Sequence, residues 1–122
     1  MTSLLFVGRT REFELEHAVR MASAVFAERG YAGTSVDMLV AASGVHRGSL
    51  YSAFGSKRGL FVACLRQAIE AWGADDEIVL VALFDLAPYD EEVRELVRSI
   101  PGLDRATIGA RLMGRAHIDL EE

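Results

Sequence analysis

The chain has 122 residues, and 70 of them are apolar when Gly is counted and Tyr is not, above the roughly 45–50% of ordinary soluble domains, which excludes a disordered chain. Its net charge of −5 argues, taken alone, against a nucleic-acid partner, because phosphates call for a basic footprint. The charge is uneven, however: residues 1–60 carry seven Lys or Arg against five Asp or Glu (+2), and residues 61–122 carry six against thirteen (−7).

In chain order, Leu15, Val19, Ala22 and Phe26 recur at i, i+4, i+7 and i+11 and predict an amphipathic helix over Thr10–Arg29. Gly30 follows as its stop. Arg9 and Arg11, ahead of it, read either as a solvated terminus or as a short arm for a minor groove. Thr34 is the expected N-cap of a second, brief helix ending near Ser43, with Asp37 three residues on completing a capping-box-like pair. Gly44 sits where a left-handed residue is wanted, and Val45 supplies the apolar contact of such a cap. A third helix over about His46–Phe54 places Leu50 and Phe54 on one face. After Gly55, Ser56 caps a fourth that continues to about Trp72.

The remainder predicts three more helices. The run Ile78–Phe84, seven apolar residues inside Asp75–Leu86, is too apolar for a surface helix, and no second strand exists to pair with it. Asp90 caps a sixth helix with Glu91 and Glu92 in its first turn, Arg98 in its last, and Val93, Leu96, Val97 and Ile100 on one face. A seventh spans about Leu103–Leu120, with Ile108, Leu112, Ala116 and Leu120 spaced by four. The fold class is therefore all-α.

Two short helices joined by a Gly-containing turn describe a helix-turn-helix, which places its second helix in the major groove of DNA. Phe13–Ile69, with the run GYAGTSVDMLVAASGVHRGSLYSAFGSKRGLF, resembles the N-terminal DNA-binding domain of the TetR family of transcriptional regulators. The resemblance is carried by Gly-Tyr before a Thr-Ser cap, the Ala-Ser-Gly-Val turn, Leu50-Tyr51 followed by Phe54, and Lys57 with Leu60. It implies a helix-turn-helix reader over residues 1–56 and, over 57–122, a connecting helix with a short helical region for dimerisation or ligand. Val40 and Ser43 depart from the small Ala usual there, and Gly59 costs up to ~1 kcal/mol in a helix. After helix four only 50 residues remain, fewer than the family's usual effector and dimerisation domain.

The single Lys among twelve Arg, Lys57, stands in the first turn of a helix, where the dipole disfavours a cation. A DNA phosphate would account for it. Arg47 and Tyr51, four apart, point from similar sides of helix three. The resemblance implies that Ser49 and Tyr51 meet phosphate or base edges, and Arg47 is the candidate for bidentate reading of a guanine. His46, a poor cap, Gly48, whose missing side chain permits close approach, and Thr34 and Ser35, with hydroxyls for phosphate, complete the candidate DNA site. Each also has an ordinary structural reading as cap, packing residue or solvated charge. Phe61, Leu65, Trp72 and Phe84 are candidates to line a small apolar effector pocket, although a core would look the same.

No nucleophile with base and orienter, no paired carboxylates in apolar surroundings and no phosphate loop after a strand is present, so no enzyme is expected. Asp75, Asp76 and Glu77 read as a solvated helix start. Cys64 alone forms no intramolecular disulfide, and His17, His46 and His117 lack metal-ligand spacing. No apolar run nears the roughly 18 residues that cross a bilayer, and Leu4–Val7 is shorter than a signal-peptide core. The expectation is a cytoplasmic homodimer without metal or cofactor, binding double-stranded DNA at a palindromic operator, with Ile78–Phe84 in or beside the dimer interface. The alternative is a shortened relative that serves as a protein-interaction module.

Overall fold

The computed structural model describes residues 2–72 and 77–119, with backbone alone for residues 2–10. Its elements are α1 (Thr2–Arg29), α2 (Val36–Ser43), α3 (Arg47–Phe54), α4 (Lys57–Glu70), α5 (Glu77–Val81, continuing as a π-helical turn Ala82–Leu86), α6 (Glu91–Arg98) and α7 (Arg105–Arg115). Among the described residues there is no strand, and the fold is all-α. The expected Asp75, Asp76 and Leu120 positions lie outside the described residues.

Local chemistry sets most of the boundaries. Gly30, at φ +75°, ends α1 with its N–H on the Phe26 carbonyl at 2.8 Å. Gly44, at φ +71°, closes α2 on Val40 O at 2.9 Å, a conformation in which a side chain would be strained. Ser56 Oγ accepts from Gly59 N at 3.0 Å to start α4, and Asp90 accepts from Val93 N at 3.1 Å to start α6. One cap is corrected. Ser35, not Thr34, caps α2 by accepting from Met38 N at 3.1 Å, while Thr34 is buried and turns its hydroxyl back to Gly30 O at 2.7 Å. Thr34 lies one position too early, where finishing α1 employs it better than starting α2.

Two other expectations are revised. α1 begins at Thr2, so Arg9 and Arg11 belong to a continuous helix and not to an extended arm; with no proline ahead of Thr10, the backbone ladder runs through Gly8. α7 is shorter than expected, starting from the Asp104 cap, which accepts from Thr107 N at 2.7 Å, and giving way at Ala116 before the left-handed His117.

The core forms where α1, α4 and α5 meet. Phe26 and Phe61, both fully buried, pack edge to face at 5.0 Å, with Leu65, Ile78, Val79 and Val93 closing around them. The run Ile78–Ala82 is thus covered by the chain's own helices, which corrects its reading as surface left for a second subunit. At its end Ala87 N donates to Ala82 O at 2.8 Å, five residues back, and this wider turn leaves Phe84 83% exposed while Leu86 is buried.

An ion-pair cluster ties α4 to α6. Arg58 holds Asp90 with Nε at 2.6 Å and Nη2 at 2.9 Å and reaches Glu92 at 2.8 Å. The Arg58 fork, with help from the Val93 N–H, depresses the Asp90 carboxyl to about 2, and the same carboxylate raises the Arg58 pKa. A carboxyl held below its ordinary 3.8 adds stability that is complete above that value and lost as pH falls toward 2. Thermal unfolding followed by circular dichroism is expected to show a drop in midpoint across that interval in the unmodified chain. The drop should be smaller in Asp90→Asn, and equal drops in both would assign the acid sensitivity elsewhere.

Candidate nucleic-acid interface

The geometry of α2 and α3 follows from which residues the core claims. Leu39 and Val45 are buried, and Leu50 fastens α3. Ser43, buried beneath the turn, accepts from Val45 N at 3.1 Å, which gives a use to the hydroxyl that stands where Ala was expected. With Leu50 inward, Gly48 and Ser52 on the far side of α3 are exposed, and so are Arg47 and Tyr51 on the flank between, Tyr51 retaining 43% of its surface. A Cβ added to Gly48 would meet nothing within 4 Å. The backbone of α3 is bare there.

His46 and Ser49 lie on another side. They border an open groove of about 570 Å³ between the start of α3 and Phe13, Glu14, His17 and Arg20 of α1. His46 occupies the cap position of α3 without a side-chain capping bond. Ser35 is exposed at the start of α2, its Oγ already spent on the cap. The structure thus groups Arg47, Gly48 and Tyr51 on one face, sets His46 and Ser49 beside the groove, and withdraws Thr34 into the interior.

Lys57 is placed differently from the sequence reading. Its Nζ donates to Tyr31 O at 3.0 Å and Thr34 O at 2.9 Å and stands 4.1 Å from the centre of the Tyr31 ring. Burial lowers its pKa, and nearby Asp85 works against that shift. The carbonyls of the α1–α2 link therefore account for a cation at this helix start without a phosphate. Asp85, from the π-helical turn, accepts from Tyr31 N at 2.7 Å. The link is pinned from α4 and from α5 together. No pattern in the sequence marks Asp85 for this, because its partner is 54 residues away.

Arg47 pairs through Nη2 with Asp37 Oδ1 across the two helices of the motif. Asp37 was expected to serve as a capping residue; here it reaches forward to α3. Phe61, Leu65, Trp72 and Phe84 do not converge on a pocket. Phe61 and Leu65 fill the core, Trp72 packs half-buried against it, and Phe84 faces solvent. Their expected effector site is corrected: the apolar spacing belonged to packing. Among the described residues no cluster of three or more His, Cys, Asp or Glu could hold a metal, and no helix is long and apolar enough to cross a membrane.

The family described as bacterial regulatory proteins, tetR family, matches residues 19–64, from the middle of α1 into α4. The chain is 33% identical over 94 residues to the uncharacterized HTH-type transcriptional regulator YezE of Bacillus subtilis, covering 77% of this chain and 45% of that protein. It is 39% identical over 62 residues to the HTH-type transcriptional repressor BdcR of Escherichia coli, covering 51% and 32%. To the HTH-type transcriptional repressor ComR of the same organism it is 37% identical over 73 residues, covering 60% and 35%. The matches span less than half the length of each of these relatives. No solved structure matches the chain significantly.

Proposed function

We propose that this chain, a member of the tetR family of bacterial regulatory proteins, binds double-stranded DNA through α3 and regulates transcription as a homodimer on a palindromic operator. The observation that carries the proposal is the open face of α3, where Arg47, Gly48 and Tyr51 stand clear of the core that Leu50 fastens. Arg47 is the base reader in this proposal. Tyr51 and Ser49 meet the DNA backbone in it, and Ser35 and His46, exposed at the starts of α2 and α3, add contacts. Lys57 acts indirectly, by holding the α1–α2 link in place. Residues 1–56 form the reader and 57–122 the remainder.

A second copy would hold two α3 helices roughly 34–36 Å apart, the spacing of successive major grooves. Support for such a copy comes from apolar residues that a single chain leaves open: Phe84, Tyr89, and Leu112 and Met113 of α7, a helix with no buried residue. Action as a repressor is part of the proposal, in keeping with the names of two relatives, the repressors BdcR and ComR. No effector site is assigned.

The test is salt-dependent binding to a duplex selected from a random-sequence pool and to a scrambled duplex of equal length. Arg47→Ala is expected to cost ~1–3 kcal/mol on the selected duplex and little on the scrambled one, which lowers the preference between them. If the unmodified chain selects nothing from the pool, or Arg47→Ala weakens both duplexes alike, Arg47 is not the reader.

A further inference from the structure

We infer that Asp37 is a specificity-determining residue, which restrains Arg47 from binding phosphate at any sequence and keeps it for a base edge; this rests on the DNA-reading proposal above. The observation is the ion pair between Arg47 Nη2 and Asp37 Oδ1, with the two side chains 50% and 84% exposed. An ion pair so open to water contributes little to stability. Fold maintenance is therefore a weak reason for it.

Its position offers a better one. Arg47 is the first residue of α3 and Asp37 the second of α2, so the pair bridges the two helices of the motif at the edge of the open α3 face. An unpaired guanidinium there would be drawn to any phosphate, because that attraction is electrostatic and independent of sequence. Asp37 cancels the net charge and engages one nitrogen, Nη2. Toward a phosphate the pair is close to neutral. Toward a guanine, whose major-groove edge offers the acceptors O6 and N7 and no net charge, the remaining guanidinium N–H groups still donate. The carboxylate also narrows the directions in which a long side chain points. Asp37 thus turns a charge-driven contact into one driven by hydrogen bonds, as a positioning residue that itself touches no base.

The test compares the full chain with Asp37→Asn, Arg47→Ala and the double variant, on the selected and scrambled duplexes over a range of salt. Asp37→Asn is expected to tighten the scrambled duplex about three- to tenfold near 0.1 M salt and to steepen its salt slope by about 0.9, one further phosphate contact. Affinity for the selected duplex should stay level or fall, so the preference drops. In the Arg47→Ala background the same change should leave slope and preference unmoved, and Asp37→Glu should restore both. Equal tightening on both duplexes overturns the inference. So does equal tightening with Arg47 absent, which would make Asp37 a plain source of repulsion. If the unmodified chain itself prefers neither duplex, the DNA-reading proposal fails first, before any variant is compared. Circular dichroism confirms that each variant is folded, and Asp37→Ser provides a second neutral replacement with the same expected outcomes.

Discussion

Replacing Val79 by Asp is expected to abolish the fold. Val79 is fully buried inside a single chain, in the core shared with Phe26, Phe61 and Leu65. A carboxylate placed there loses its hydration and gains no partner, a cost of several kcal/mol against a total stability of about 5–15 kcal/mol for a domain of ordinary stability. Far-ultraviolet circular dichroism should show most of the helix signal gone at every protein concentration. That independence matters, because the sequence reading of Ile78–Phe84 as a subunit contact makes a different forecast: a charge at Leu80 would give a folded monomer. Leu80 is only 5% exposed in the lone chain. A Val79→Asp chain that keeps its helices, melts cooperatively and loses only mass by light scattering would return the run to an interface.

Gly59→Ala is expected to destabilise the protein by about 3 kcal/mol, the upper part of the range for overpacked sites. Helix propensity alone forecasts the opposite sign, a gain of up to ~1 kcal/mol from removing a glycine in a helix. The reason is contact: an added Cβ would stand 1.8 Å from Phe54 O and 2.9 Å from Phe54 C. That oxygen belongs to the last residue of α3, so relief requires the start of α4 to part from the end of α3. A midpoint lowered by roughly ten degrees or more is the expected reading for a domain of this size. Gly48→Ala is the comparison, since its Cβ meets open space. It should raise the midpoint by a few degrees and weaken binding to the selected duplex. If both alanines stabilise alike, the α3–α4 junction is looser than the contact implies.

Most of the helix boundaries were legible in the sequence because the signals that set them act within about one helical turn. Gly30 and Gly44 mark stops by conformational freedom, and Ser56, Asp90 and the Leu50 spacing mark starts and faces through neighbours three or four residues away. Where two such residues adjoin, as with Thr34 and Ser35, local chemistry left the choice open, and closure of α1 onto Gly30 decided it.

What the tertiary structure alone decided were the addresses of residues whose partners are distant in the chain. Lys57 called for something electronegative, and a phosphate and a backbone carbonyl satisfy an ammonium equally well; only folding brought Tyr31 O and Thr34 O to it across 26 and 23 residues. Asp85 and Asp37 gained their partners in the same way. The apolar run of α5 posed the same difficulty for burial. Hydrophobic burial is non-directional and proportional to area, so the sequence by itself determined that Ile78–Ala82 must be covered. The packing of α1 and α4 determined what covers it, and the wide turn at Ala82 determined that Phe84 is left out.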